Sequence, residues 1–536
     1  MPPTLTRRTL LTASTAGATL AGLTTASGAT ALGQDVTPAH RPLRGNPFTL
    51  GVASGDPAPD GMVLWTRLAT DPLAEDGLGG MPARTVPVQW QVATDARMRH
   101  VVARGTELAR PTGAHSVHVE LHGLRPGREY FYRFRAGRHL SEVGRTRTAP
   151  APGEMPAALA MAFASCAQYE HGWFTAYRRL AEDQPDLVLH LGDYQYEYTA
   201  GDYVAPGGNV RDHLGPETVT LAGYRQRHAQ YKTDPDLQAA HLVAPWLVVW
   251  DDHEVDNNWA DEVHEKPEIP QPDFLARRAA AMQAYYENMP LRRRQMPRGI
   301  DTLLYRRVQW GQLANFHMMD TRQYRDDQAC GDGWDTNCTE RLDPARTLTG
   351  DEQEAWLLGN LRRSSQRWDV LGQQVFFAER DGKVEPELEH HSNDGWDGYV
   401  GSRDRITRGW VDAGVRNPVV LTGDVHRHWA ADVLADFEGE GAEAERVVGA
   451  ELVCSSITSG GDGDATKTDP ILGWNDHLRY YKDLRGYVRT TITPEAMTAD
   501  FRVLADVSSG TAEARTDVSF RINDGVPGLE AVAPRA

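Results

Sequence analysis

Leu187-Val188-Leu189-His190-Leu191-Gly192-Asp193-Tyr194-Gln195-Tyr196 is a short, mostly apolar run that stops on a glycine and a carboxylate. A near-continuous apolar run of this length, bounded by a turn residue, reads as a strand buried on both faces. The same arrangement recurs three times. Ala157 to Ala164 ends at Ser165-Cys166, and Trp246-Leu247-Val248-Val249-Trp250 ends at Asp251-Asp252-His253-Glu254. Val419-Val420-Leu421 ends at Thr422-Gly423-Asp424-Val425-His426. Amphipathic segments such as Phe174 to Leu180 and Glu352 to Leu361 lie between the runs. Strands alternating with helices predict an α/β domain over 157–525. Ligands bind at the carboxyl edge of such sheets, and all four runs deliver Cys, Asp or His to that edge.

Upstream the rhythm is different. Val86 to Val92 and His115 to Leu121 alternate with period two, and Leu124 to Phe134 reads as a turn followed by a strand. Alternation without helical periodicity predicts a small antiparallel β-sandwich over 48–150. Its Leu124-x-Pro126-Gly127-x-x-Tyr130-x-Tyr132 run resembles fibronectin type III and immunoglobulin-like domains, in which a tyrosine packs a corner. Pro150, Pro152 and Pro156 form the linker.

Residues 1–31 carry Arg7-Arg8 ahead of a mild Ala/Thr/Gly-rich apolar stretch and end on small residues, which predicts a twin-arginine signal peptide. Residues 32–47 then form a leader. The expected location is secreted or extracytoplasmic, reached through the twin-arginine (Tat) export machinery. No later stretch approaches the roughly 18 apolar residues of a membrane span. Lys plus Arg number 56 against 74 Asp plus Glu, a formal charge of −18, and loss of the signal makes it −20. That balance excludes a nucleic-acid binder held by a general basic field. Of four cysteines in 536 residues, Cys330 and Cys338 flank a short polar loop and are the expected disulfide. Cys454 reads as a buried structural thiol.

Cys166, Asp193, Tyr196 and His426 together offer thiolate, carboxylate, phenolate and imidazole. Holding a tyrosine as phenolate near neutral pH needs a strong Lewis acid, since free tyrosine titrates near pH 10. Ferric iron meets that demand better than zinc. Asp252 and Asp424 add oxygen donors suited to a hard cation such as calcium, with Asp193 able to bridge. The expected cofactors are therefore one Fe3+ and one or two Ca2+. His428 competes with Asp424 for a place in the ligand set. His317, His390 and His391 carry no assignment. Trp250, Trp259 and Trp429 are expected to frame the pocket.

The motif series resembles the calcineurin-like metallophosphoesterases, whose motifs run DxH, GDxxD, GNH(E/D) and GHxH. Here they read Ser165-Cys166, Gly192-Asp193-x-x-Tyr196, Asp251-Asp252-His253-Glu254 and Gly423-Asp424-x-His426. These departures are similar to the PhoD-type alkaline phosphatases and a related secreted phospholipase D, over nearly all of the chain after the leader. The resemblance implies a metallophosphoesterase-type α/β sandwich. It also implies Cys166, Asp193, Tyr196 and His426 as iron ligands, and Asp193, Asp252 and Asp424 as calcium ligands.

The expected reaction is in-line attack on phosphorus by a hydroxide held between the metals. His253 is the expected proton donor to the leaving oxygen, with Glu254 orienting it. Arg322 is the first candidate to stabilise the phosphoryl oxygens and Arg225 the second. The expected substrates are phosphomonoesters, with phosphodiesters as a side activity and an extension to phospholipids or teichoic-acid-like polymers. Two alternatives stand beside this reading: a secreted phospholipase D, and a non-catalytic surface binding protein braced by metals.

Overall fold

A computed structural model describes residues 43, 45–266, 268–383 and 388–533. The expected signal peptide lies outside the described residues, as does most of the leader. Among the described residues no helix is long and apolar enough to cross a membrane.

The four decisive runs all form strands. Leu159–Ala164, Leu187–Leu191 and Pro245–Val249 are parallel neighbours in a ten-stranded sheet. Pro418–Thr422 lies in an eight-stranded sheet, between Trp368–Gly372 and Val447–Val453 and parallel to both. Every residue of Leu187–Leu191, Pro245–Val249 and Pro418–Thr422 is buried, as near-continuous apolar runs require. Both sheets contribute to one core, in which Phe163, Leu189 and Val249 belong to the same cluster as Phe316, Val370 and Leu452. Helices Thr175–Glu182, Leu221–Lys232, Pro235–Val243 and Gln271–Asn288 contribute to that core. Helices Gly350–Leu361 and Val400–Ala413 pack on a second cluster with Leu371 and Val420. The fold is the expected α/β sandwich.

The all-β region is present, but its boundary differs from the expected one. Val86–Ala93, Val101–Ala109, Glu129–Ala136, His139–Leu140 and Gly144–Arg147 form one antiparallel sheet. Tyr130 closes the expected corner, its hydroxyl accepting a hydrogen bond from the Arg125 amide at 3.0 Å. The opposing strands, Val52–Ala58, Gly61–Arg67 and Ser116–Glu120, continue the ten-stranded sheet instead of standing alone. Ser54 and Gly55 pair in parallel with Pro245 and Trp246. A Cβ on Gly55 would lie 2.6 Å from the Pro290 carbonyl oxygen and 2.8 Å from that of Trp246. From Leu43 onward the chain is thus one compact unit. Alternation reveals that a segment is a strand, but not which distant strand it pairs with.

Candidate metal centre

Topology brings the four polar strand ends together. Three leave adjacent parallel strands at the same edge, and the fourth comes from the facing sheet. The sheets meet there, because Ser165 bridges in parallel to Ser456, just past the strand Val447–Val453. The turns are tight. Cys166, Asp193, Asp424 and His426 have φ of 60°, 53°, 61° and 55°, in the left-handed region. Such residues cost roughly 1–3 kcal/mol each and persist where packing over-determines them, often at functional sites. Gly192, with φ of 106°, has no alternative, since a Cβ there would lie 2.4 Å from that of Asp251.

One ligand atom from each of Cys166, Asp193 and His426 lies within 4.8 Å of the other two, and Asp193, Asp252 and His253 form a second such group. Asp193 belongs to both. Tyr196 completes the first group: its hydroxyl donates to Asp193 Oδ2 at 2.9 Å and lies 3.1 Å from His426 Nε2. Asp424 is half-buried beside them, in the electrostatic field of Asp251, Asp252 and Arg322. Cys166, Asp193, Tyr196 and Asp252 are buried.

The donor set fits a cation. Asp193 Oδ1, Asp251 Oδ2 and Asp252 Oδ1 are buried without a hydrogen-bond partner, a rare state for a native carboxylate. Burial, reinforced by the Asp193 charge, pushes the Cys166 thiol and the Tyr196 phenol well above their ordinary values. Burial likewise raises Asp193 and, with Asp251 beside it, Asp424. Asp251 is pushed up to about 7 by burial, although Arg322 pulls the other way. Asp252 alone is held low: burial opposes its charge, but His253, Arg322 and the Asn258 amide outweigh burial. So many anionic donors resist ionising together unless positive charge enters among them.

Several sequence-based expectations need correction. Glu254 does not orient His253. It accepts the amides of Asp193, Tyr194 and Asp251 at 3.1, 2.6 and 2.9 Å, pinning two strand ends together. The partner of His253 is Glu197, whose Oε2 lies 2.8 Å from Nδ1. Arg225 is committed to Glu287, with two contacts of 2.6 Å, and takes no part in the centre. His428 turns into the core against Phe501 and accepts the Ser455 amide. His317 is bonded to Asp369 at 2.9 Å. Trp250 and Trp259 pack edge-on in the main core, and Trp429 packs on Phe376 and Tyr481, so all three are buried in packed clusters. Large aromatic side chains next to a site motif were filling the core behind it.

Arg322 is fully buried. Its Nε donates to Asp251 at 2.6 Å and its terminal nitrogens to Asp394 at 2.8 and 3.0 Å. Arg325 also donates to Asp394. Asp394 had no local signal, because it lies in a polar loop far from the four motifs. Ser459 was also missed; its hydroxyl donates to the Tyr196 oxygen at 2.7 Å. Only Glu197 was within reach, one residue past Tyr196. A cavity of about 1020 Å³ opens beside His426 and is lined by Arg427, Lys467 and Arg485 as well as Asp483. The sulfur atoms of Cys330 and Cys338 lie 2.11 Å apart, and Cys454 is buried beside Ser165.

Residues 161–501 match the family PhoD-like phosphatase, and residues 34–150 match the PhoD-like phosphatase N-terminal domain. Alkaline phosphatase D of Bacillus subtilis (strain 168) is 50% identical over 490 residues, covering 91% of this chain and 82% of that protein. The solved structure of PhoD superposes with a TM-score of 0.89 at 49% identity, covering 92% of this chain and 94% of that one. The chain belongs to the PhoD-like phosphatase family.

Proposed function

We propose that this PhoD-like phosphatase is a secreted, metal-dependent phosphoric ester hydrolase that acts on phosphomonoesters and more slowly on phosphodiesters. The observation that carries the reading is Asp193, shared by two donor groups, where one carboxylate can serve two cations. The donor chemistry supports Fe3+ on Cys166, Asp193, Tyr196 and His426, and one or two Ca2+ on Asp193, Asp252 and Asp424. Bound metals supply Lewis acidity, which activates water near neutral pH and offsets charge on the phosphoryl oxygens.

The chain's own residues position and protonate. Glu197 holds His253 by Nδ1 and leaves Nε2 for the site. Burial disfavours the imidazolium, but Asp252, Glu197 and Asp193 outweigh burial and raise His253 above the ordinary histidine range, which favours the imidazolium. A ring held in that state can hand a proton to the leaving oxygen. Arg322 spends three of its five N–H groups on Asp251 and Asp394 and also faces Asp252 at 3.9 Å, so it adds buried positive charge behind the carboxylates of the site. Arg427, Lys467 and Arg485 at the cavity wall each pair with Asp483, and Asp462 and Asp464 line the same wall, so positive and negative side chains there are balanced. Arg7-Arg8 directs export by the twin-arginine route, which carries folded, metal-loaded cargo.

Metal analysis of the natively exported protein beside a substrate panel tests the reading. Iron and calcium are expected, with faster turnover of p-nitrophenyl phosphate than of the bis-ester or phosphatidylcholine vesicles. Faster choline release from vesicles would favour the phospholipase D alternative. A metal-replete protein inert toward every ester would leave a metal-braced binding protein. Ferric phenolate gives visible colour, so Tyr196→Phe should bleach the protein. A colourless, iron-free and fully active enzyme overturns the iron assignment.

A further inference from the structure

A second group of donors shares no residue with the strand-end centre. Glu379, His391 and Asp397 each offer a ligand atom, and these atoms lie within 4.8 Å of one another. His391 is only 3% exposed, yet among the described residues neither ring nitrogen has a hydrogen-bond partner. Its Nδ1 lies 3.9 Å from Asp397 Oδ2, and its Nε2 lies 3.5 Å from Glu389. A buried imidazole with carboxylates at ion-pair distance but no hydrogen bond at either nitrogen leaves room for a ligand between them. Among the described residues the Glu379 carboxylate receives no hydrogen bond, and the nearest cation, Arg403, is 3.9 Å away. An acidic cavity of about 600 Å³ adjoins the group, lined by Glu379, Asp381, Glu389, Asp432, Glu445 and Asp476. Such a lining concentrates cations.

We propose that Glu379, His391 and Asp397 form a second metal site for a borderline divalent ion such as Zn2+, with water from the acidic cavity completing its shell. One imidazole and two carboxylates suit zinc, whereas calcium takes six to eight oxygens. Donors around tetrahedral zinc lie roughly 3.4 Å apart, so closure needs side-chain movements of about an ångström. Asp397 already accepts Arg403 at 2.6 Å and the Arg380 amide at 3.0 Å, one on each oxygen. Each oxygen keeps a lone pair. Glu379 is pushed up to about 8 by burial and by Asp397, a strain that an ion between the two carboxylates relieves. Asp397 stands three residues from Asp394, which holds Arg322 and Arg325.

The test uses the full enzyme with His391→Ala and Glu379→Gln beside it. Each protein is dialysed against ZnCl2, gel-filtered and assayed for zinc. The unaltered enzyme should retain about one zinc per chain more than either variant. A crystal soaked in ZnCl2 should show an anomalous peak between the three side chains. Zinc entering the strand-end centre is common to all three proteins and cancels. Equal zinc contents, or a soaked crystal without that peak, overturn the proposal and leave His391 as an imidazolium paired with Asp397. Should His391→Ala fail to fold, the isosteric Glu379→Gln and the crystal decide.

Discussion

Cys166, Asp193 and His426 stand immediately after strands whose pairing is dictated by a buried core, whereas Glu379, His391 and Asp397 stand on the irregular arm that follows Trp368–Gly372. In the first group each donor has a backbone position fixed by a sheet and a left-handed turn. In the second, His391 lies in a three-residue strand and Asp397 in a single 3-10 turn. A site made of strand ends is rigid and repeats a recognisable pattern of apolar run, glycine and donor. A site made of loops can bring the same donor chemistry together with no pattern along the chain. The comparison teaches that rigidity and legibility share one cause, the regular geometry of the strands.

The comparison breaks most severely at Asp193. Asp193→Asn removes the carboxylate common to both donor groups and should cost about a thousandfold or more in kcat, several kcal/mol of transition-state stabilisation. Turnover of p-nitrophenyl phosphate measures it, and a loss below tenfold would end the shared-carboxylate reading. Gly192→Ala forces a Cβ into Asp251 at 2.4 Å. It should destabilise the fold by more than about 3 kcal/mol in urea unfolding and lower the metal content with it. Asp394→Asn and Glu197→Gln leave the ligands in place but loosen Arg322 and His253, so each should lower kcat by about 10- to 100-fold. Iron content should be unchanged in both, and a loss of iron would mean that they support ligands directly. His391→Ala belongs to the other cluster and should leave monoesterase activity within about twofold, since exchange of a loop-borne donor outside a site has only modest effects on it. A catalytic collapse there would show that the two clusters work as one unit.

Much of the strand-end centre was legible because its chemistry sits where local sequence says strands must end. Leu187–Leu191 and Pro418–Thr422 are too apolar to be anything but interior, and glycine followed by a carboxylate can only be the turn beyond. The supporting groups were less legible. Adjacent Glu254 reads in sequence as the group that orients His253, yet the two side chains diverge in the turn, and Glu197 arrives from another strand end. Arg225 carried the right charge but met Glu287 on a neighbouring helix. Asp394 lies 72 residues from Arg322 and Ser459 lies 263 from Tyr196, so no spacing could announce them.

By itself the chain specified its strands, their burial, and which donor types stand at their ends, because apolar periodicity and turn residues act over a few neighbours. Only the tertiary structure decided that the N-terminal strands extend the larger sheet, that Arg322 is held between Asp251 and Asp394, and that His391 lies buried among Glu379, Glu389 and Asp397. Those outcomes depend on which surfaces meet when the core closes, and contact between distant segments is governed by packing that no local window contains.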